Sequence, residues 1–210
     1  MTNRELFPLL LLSGIFCACL VAAAVLAAKI VRIGPVSIPA GVLAYCITFV
    51  CVDVINEIWG RRYANMVVLT GFIGLGLTFL LIWLALWWPA ASFWHKEEEF
   101  RSILGMTPRI IAASMAAYVV SRFHDVWLYN LLKNRMHGRH MWLRNNLTTM
   151  LSQLIDTMVF ITIAFYGVLP LLPLIAGQWA VKVLIALFDT PLVYAAVWGV
   201  RRYIAAKETY

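Results

Sequence analysis

The stretch Val52-Asp53-Val54-Ile55-Asn56-Glu57-Ile58-Trp59-Gly60-Arg61-Arg62-Tyr63 decides how this chain is read. It closes a hydrophobic run that begins near Ile38. Asp53 and Glu57 are four residues apart, so on a helix they share a face, with Asn56 beside them. Trp59 and Tyr63 bracket a glycine and two arginines, the pattern of a helix leaving a bilayer. A charged side chain inside an apolar span costs roughly 2.5–3.5 kcal/mol on insertion scales. Such a group needs a partner or a cavity on the inner side of a bundle.

The composition widens this local reading to the whole chain. The 210 residues are 63% hydrophobic and only 13% charged, with a mean hydropathy of +0.84. An ordinary soluble domain is excluded. The net charge of +7 points to basic cytoplasmic loops rather than to nucleic acid. Cys17, Cys19, Cys46 and Cys51 lie inside apolar runs without metal-ligand spacing. They read as small packing residues, not as disulfides. No metal and no other cofactor is expected.

Six apolar spans are predicted, at residues 6–28, 38–59, 65–88, 108–132, 145–169 and 178–200. Each holds about 20 residues or more, enough for a hydrocarbon core of about 30 Å. The first run continues past the core of a signal peptide and reads as a retained helix. Gly14, Ala18 and Ala22 give it a face of small residues for close helix contact. Residues 29–37, with Gly34 and Pro35, read as a short loop. Gly71, Gly74 and Gly76 sit in apolar sequence and read as helix packing, not a nucleotide loop. Residues 90–107 form the longest polar connection and read as a solvated charge run. Pro108 suits the first turn of the fourth span. Pro170 and Pro173 mark an uncharged turn.

Lys and Arg set the orientation. With both termini on one side, that side collects ten of them outside the spans, including Arg61, Arg62, Lys133, Arg144, Arg201 and Arg202. The other side collects five. Both termini are therefore predicted cytoplasmic. The expected fold is an all-α membrane protein, one domain over residues 1–210.

The spans carry ionisable groups that lipid cannot solvate. Asp53 and Glu57 lie in the second, Arg122, His124 and Asp125 in the fourth, Asp156 in the fifth, and Lys182 and Asp189 in the sixth. Five acids face two permanent bases. Helical spacing aligns them with polar and aromatic neighbours. Ser114, Tyr118, Arg122, Asp125 and Tyr129 share one face; so do Thr149, Gln153, Asp156 and Phe160, and so do Gln178, Lys182, Ile185 and Asp189. A local Arg122–Asp125 pair, or Lys182 and Asp189 bridged by a neighbour, would be ordinary structural glue. Four polar stripes exceed what glue requires, and inward stripes together line a solute site. Enzyme motifs such as H-E-x-x-H and G-x-S-x-G are missing from the sequence. A membrane aspartyl hydrolase would need two convergent aspartates, and the spacing singles out no pair. His95, His124, His137 and His140 show no metal-ligand spacing.

The same residues resemble a known family, the bacterial queuosine-precursor transporters, also called vitamin uptake transporters. Asp53 to Arg62 is similar to the family's D-x-x-x-E-x-x-G followed by basic residues. Ser114, Tyr118, Ser121 and Asp125 continue the resemblance. Arg144, Thr148, Thr149, Gln153 and Asp156 are similar to R-x-x-x-S-T…Q-x-x-D, and Lys182 and Asp189-Thr190-Pro191 match the last span. Trp59 stands where the family pattern has Tyr, and Thr148 where it has Ser. The resemblance covers nearly the whole chain.

It implies import of 7-deazaguanine bases, 7-cyano-7-deazaguanine and 7-aminomethyl-7-deazaguanine, across the bacterial inner membrane for salvage into transfer-RNA modification. The chemistry agrees. The N1–H and exocyclic amine of such a base form a donor pair that a carboxylate accepts, Asp156 or Glu57. Its carbonyl wants a donor such as Gln153, Asn56 or Arg122. Its ring wants Tyr45, Tyr118 or Phe160. Arg122, Asp125, Lys182 and Asp189 balance the cavity charge beside Asp53. Two other readings stay open: a substrate-binding subunit of an energy-coupling-factor importer, and a carrier of another small planar vitamin. Proton coupling through an acid such as Asp125 and facilitated diffusion both fit, and the small face of the first span permits a homodimer.

Overall fold

A computed structural model describes residues 3–135 and 141–205; within these, the side chains of residues 3, 122, 125, 126, 129, 130, 132–135, 141–149 and 186–190 are not described. The chain is almost all helix. The order is α1 (Asn3–Leu26), β1 (Ile30–Ile33), β2 (Val36–Pro39), α2 (Val42–Trp59), α3 (Arg61–Trp87), α4 (Glu97–Leu104), α5 (Thr107–Arg135), α6 (Met141–Phe165) and α7 (Leu171–Ala205). Among the described residues, four helical stretches are long and apolar enough to cross a membrane: Arg4–Leu26, Val42–Trp59, Arg61–Trp87, and Glu97–Ser121, which joins α4 to the first half of α5. Shorter apolar stretches, Met150–Phe165 and Leu171–Ile185, lie in α6 and α7.

The expected loop at residues 29–37 is a β-hairpin. β1 and β2 pair antiparallel, with Ile30 opposite Pro39 and Ile33 opposite Val36. Gly34 takes φ +60 and Pro35 cannot, which is the II′ arrangement that matches strand twist. The β-branched run Ile30-Val31 and Val36-Ser37-Ile38 supplies the strand tendency. As a result α2 starts at Val42, later than the 38 expected.

Gly60 alone separates α2 from α3, with φ +85. Only glycine adopts that backbone without strain, so the direction reverses in one residue. Arg61 and Arg62 therefore open α3 rather than forming a loop. The polar connection contains α4, whose first turn carries Glu97, Glu98 and Glu99. Acids suit that helix end. Arg101 donates to the Leu86 carbonyl at 2.6 Å, and Arg109 donates to the Ile163 and Tyr166 carbonyls at 2.6 and 2.8 Å. These guanidinium groups satisfy the orphan carbonyls at the ends of α3 and α6. α7 begins just after Pro170 and takes Pro173 into its first turn, where no intrahelical N–H bond is lost.

α1 turns Phe16, Ala23 and Ala24 inward, and Gly14 and Ala18 face outward. The expected small-residue contact thus has another origin: Phe16 and Leu20 of α1 lie against Gly71 of α3. Gly74 and Gly76 have no such neighbour. Three buried clusters tie the bundle. One joins α1, α2 and α3 through Phe16, Cys51, Ile55, Ala64 and Val67. Another joins α5, α6 and α7 through Ile110, Ala117, Ile161, Phe165 and Leu174. A third, Ala24, Leu75 and Ile111, bridges them. None of the four cysteines is in a disulfide, and of the four Cys51 alone is buried.

Candidate functional site

Between these clusters lies a cavity of about 220 Å³. Six helices wall it. It takes the second half of α1, α2 from Val42 to Asp53, α3 from Val68 to Leu75, the early turns of α5 and α7, and the later turns of α6. Pro39 of β2 joins the wall, so the cavity reaches the hairpin. Most of the lining is apolar or aromatic, including Phe16, Phe49, Phe72 and Phe160. A few polar groups interrupt it, the usual make-up of a small-molecule site.

The central polar feature is an ion pair between helices. Lys182 Nζ donates to Asp156 Oδ2 at 2.6 Å, with the two side chains 3% and 13% exposed. Neither charge could stay there alone, since burying an unpaired ion is far more costly than burying a matched pair. Asp156 Oδ1 is less engaged: Ser121 Oγ stands 3.5 Å away and makes its shorter, 3.1 Å bond to the Tyr118 carbonyl. Lys182 Nζ also lies 5.2 Å from the centre of the Tyr45 ring, within cation–π range. Tyr45 meets Phe49 edge to face at 4.9 Å, and Phe72 packs on Tyr118 at 4.3 Å. The wall thus offers one donor beside one acceptor, framed by flat rings.

Four of the ten site residues expected from the sequence line this cavity: Asp53, Tyr118, Asp156 and Lys182. Tyr45, Ser114 and Phe160 line it too. Asn56 and Glu57 are exposed and outside the lining. Glu57 accepts from Arg201 at 3.2 Å, both side chains about six-tenths exposed. That pair joins the ends of α2 and α7 remote from the hairpin. Gln153 is half-buried one turn before Asp156, and its Oε1 has no partner among the described residues. Arg122, Asp125 and Asp189 fall on α5 and α7, but their side chains lie outside the described residues, as do those of Tyr129, Arg144, Thr148 and Thr149. Lys182 pairs with Asp156 across the interface of α6 and α7. His124 turns to Ser152, with Nδ1 3.4 Å from its Oγ.

The wall also holds residues that the expected set lacked. Gln178 is 6% exposed and lines the cavity. Its place on the Lys182 stripe was the available signal. Phe16 and Phe72 had none, because an aromatic on an apolar helix looks the same whether it faces lipid or a cavity.

Comparison with known proteins meets this geometry. The family model described as "Putative vitamin uptake transporter" matches residues 39–196. The chain is 33% identical over 161 residues to the "Probable queuosine precursor transporter" of Bacillus subtilis (strain 168), covering 74% of this chain and 70% of that protein. It is 26% identical over 171 residues to the protein of the same name from Haemophilus influenzae (strain ATCC 51907 / DSM 11121 / KW20 / Rd), covering 76% of this chain and 66% of that protein. No solved structure matches. The family match runs from the end of the hairpin into α7 and includes Asp156 and Lys182, while the α1 side of the cavity precedes it. This chain is a multi-pass membrane protein that belongs to the vitamin uptake transporter family.

Proposed function

We propose that this chain imports 7-deazaguanine bases, the 7-cyano and 7-aminomethyl forms, through the bacterial inner membrane for transfer-RNA modification. The single observation behind this is the buried Lys182–Asp156 pair in the wall of a small, aromatic cavity. A guanine-type edge carries a carbonyl acceptor next to an N1–H donor. Lys182 donates to the carbonyl, and Asp156 accepts from N1–H and the exocyclic amine. Tyr45, Tyr118 and Phe160 cover the ring faces. Asp53, deeper along α2, adds the negative charge that an aminomethyl cation favours. The names of the two relatives support the same substrate class.

In this reading α1, α2, α3, α5, α6 and α7 are six spans of one domain, and both termini are cytoplasmic. The cavity then lies in the outer half of the membrane, capped by the hairpin. Asn56, Glu57 and Arg201 sit near the cytoplasmic exit, where Glu57 no longer competes with Asp156 for the base. Gln153, Arg122, Asp125 and Asp189 complete the polar interior, and a proton on one of these acids couples import to the gradient. The outward Gly14 and Ala18 leave a face for a second copy.

The test is uptake of labelled 7-cyano-7-deazaguanine by cells lacking their own synthesis. Cells expressing the wild-type chain should accumulate label, and Asp156→Asn should remove most of it. Normal uptake and affinity in Asp156→Asn reject the assignment. Purified chain in liposomes separates a stand-alone carrier, which needs no nucleotide, from a subunit of an energy-coupling-factor complex, which does.

A further inference from the structure

We propose that Gln178 makes the site selective for a free base over its nucleoside, by pairing with the N3 and N9–H edge of the ligand. The inference rests on the 7-deazaguanine reading above and deepens it.

Gln178 is nine-tenths buried and lines the cavity. Its Oε1 is enclosed, with no hydrogen-bond partner among the described residues. Buried side-chain oxygens are normally paired, so an unpaired one on a residue that lines a cavity calls for a donor from a solute. Trp59, Thr107 and Gln153 also hold unpartnered buried atoms, but none of the three lines the cavity. Gln178 precedes Lys182 by four residues, so both project from one face of α7, about 6 Å apart along its axis. That rise is comparable to the width of a bicyclic base.

The chemistry then selects the edge. Lys182 and Asp156 take the carbonyl and N1–H side. The opposite side of the ring presents N3, an acceptor, and N9–H, a donor, on neighbouring bonds. A primary amide offers the complementary pair, with Nε2 donating to N3 and Oε1 accepting from N9–H. In a 7-deaza base, ring position 7 is carbon, so the proton cannot shift away from N9. A nucleoside has a sugar on N9. It would leave Oε1 buried without a donor, and an unmade buried bond is what rejects an analogue.

The experiment uses the full chain purified in detergent and titrated with 7-cyano-7-deazaguanine and its N9-methyl derivative. Wild type should bind the parent base at least about tenfold tighter, the worth of one good hydrogen bond. In Q178L the affinity for the parent base should fall about tenfold, and the ratio of the two ligands should move close to one. A monodisperse Q178L that keeps the wild-type ratio overturns the proposal, because a steric preference alone would survive the substitution. A ligand with carbon in place of N3 tests the idea on the unaltered protein. It should bind about tenfold more weakly, and equal binding overturns the pairing. A wild-type chain that binds neither base removes the 7-deazaguanine reading itself and this inference with it. That result is distinct from binding with an unchanged ratio.

Discussion

Lys182 on α7 and Asp156 on α6 form a 2.6 Å ion pair that is almost fully enclosed. Each charge is tolerable only because of the other. Lys182→Met alone should leave a buried carboxylate and lower stability by about 3–5 kcal/mol, whereas Lys182→Met with Asp156→Asn should recover most of that loss. Thermal unfolding in detergent measures both. Substrate uptake should stay absent in the double variant, because recovered folding does not restore the donor–acceptor edge.

Tyr45 places its ring 5.2 Å from Lys182 Nζ and frames the same cavity. Tyr45→Phe keeps the ring face, and Tyr45→Leu removes it. A desolvated cation over an aromatic face is worth about 1–2 kcal/mol. Ligand affinity should therefore drop about tenfold in Tyr45→Leu and change little in Tyr45→Phe, as read by titration calorimetry.

Gly177 brings α7 against the hairpin. A Cβ there would lie 2.5 Å from the Ser37 carbonyl oxygen and 2.6 Å from Val36 Cγ1. Backbone cannot yield as a side-chain tip can. Gly177→Val should lift β2 from α7 and lower stability by about 1–3 kcal/mol. Labelling of a cysteine placed at Ser37 should speed up in that background, and an unchanged labelling rate would show that the hairpin does not depend on this approach.

Arg109 donates to two carbonyls at the end of α6, Ile163 and Tyr166. Charge-assisted bonds of this kind contribute about 1.5–3 kcal/mol each when well sheltered, and less when exposed as here. Arg109→Gln should lower the unfolding midpoint without altering base affinity. Arg109→Lys should recover only part, because a single ammonium cannot span both acceptors as the guanidinium fork does.

Glu57 and Arg201 form an exposed pair at 3.2 Å. Exposed pairs contribute about 0–1 kcal/mol. Glu57→Gln should therefore leave stability and base affinity within about twofold of wild type. A change in uptake rate with unchanged affinity would mark this contact as part of the exit route rather than of the binding site.

Much of this arrangement was legible in the chain. Asp53 to Arg62 marked the end of one span and the start of the next, because carboxylates, tryptophan and arginines have sharp preferences along a bilayer axis. The polar stripes on α5, α6 and α7 followed from the helical repeat, so Tyr118, Asp156 and Lys182 could be named before any coordinates. The hairpin was not legible as such. Two four-residue strands are too short to show alternation, and Gly34-Pro35 marks a turn without fixing its partners.

The sequence by itself determined that the chain is apolar and helical, that Tyr118, Asp156 and Lys182 lie on polar helix stripes, and which family it resembles. Those properties depend on residue type and local spacing alone. Only the tertiary structure decided that Lys182 meets Asp156, that Glu57 lies outside the cavity and meets Arg201, and that Gln178 lines the cavity. These are choices among partners on different helices. A helical repeat fixes which way a side chain points, but the neighbour it meets depends on how α2, α6 and α7 pack.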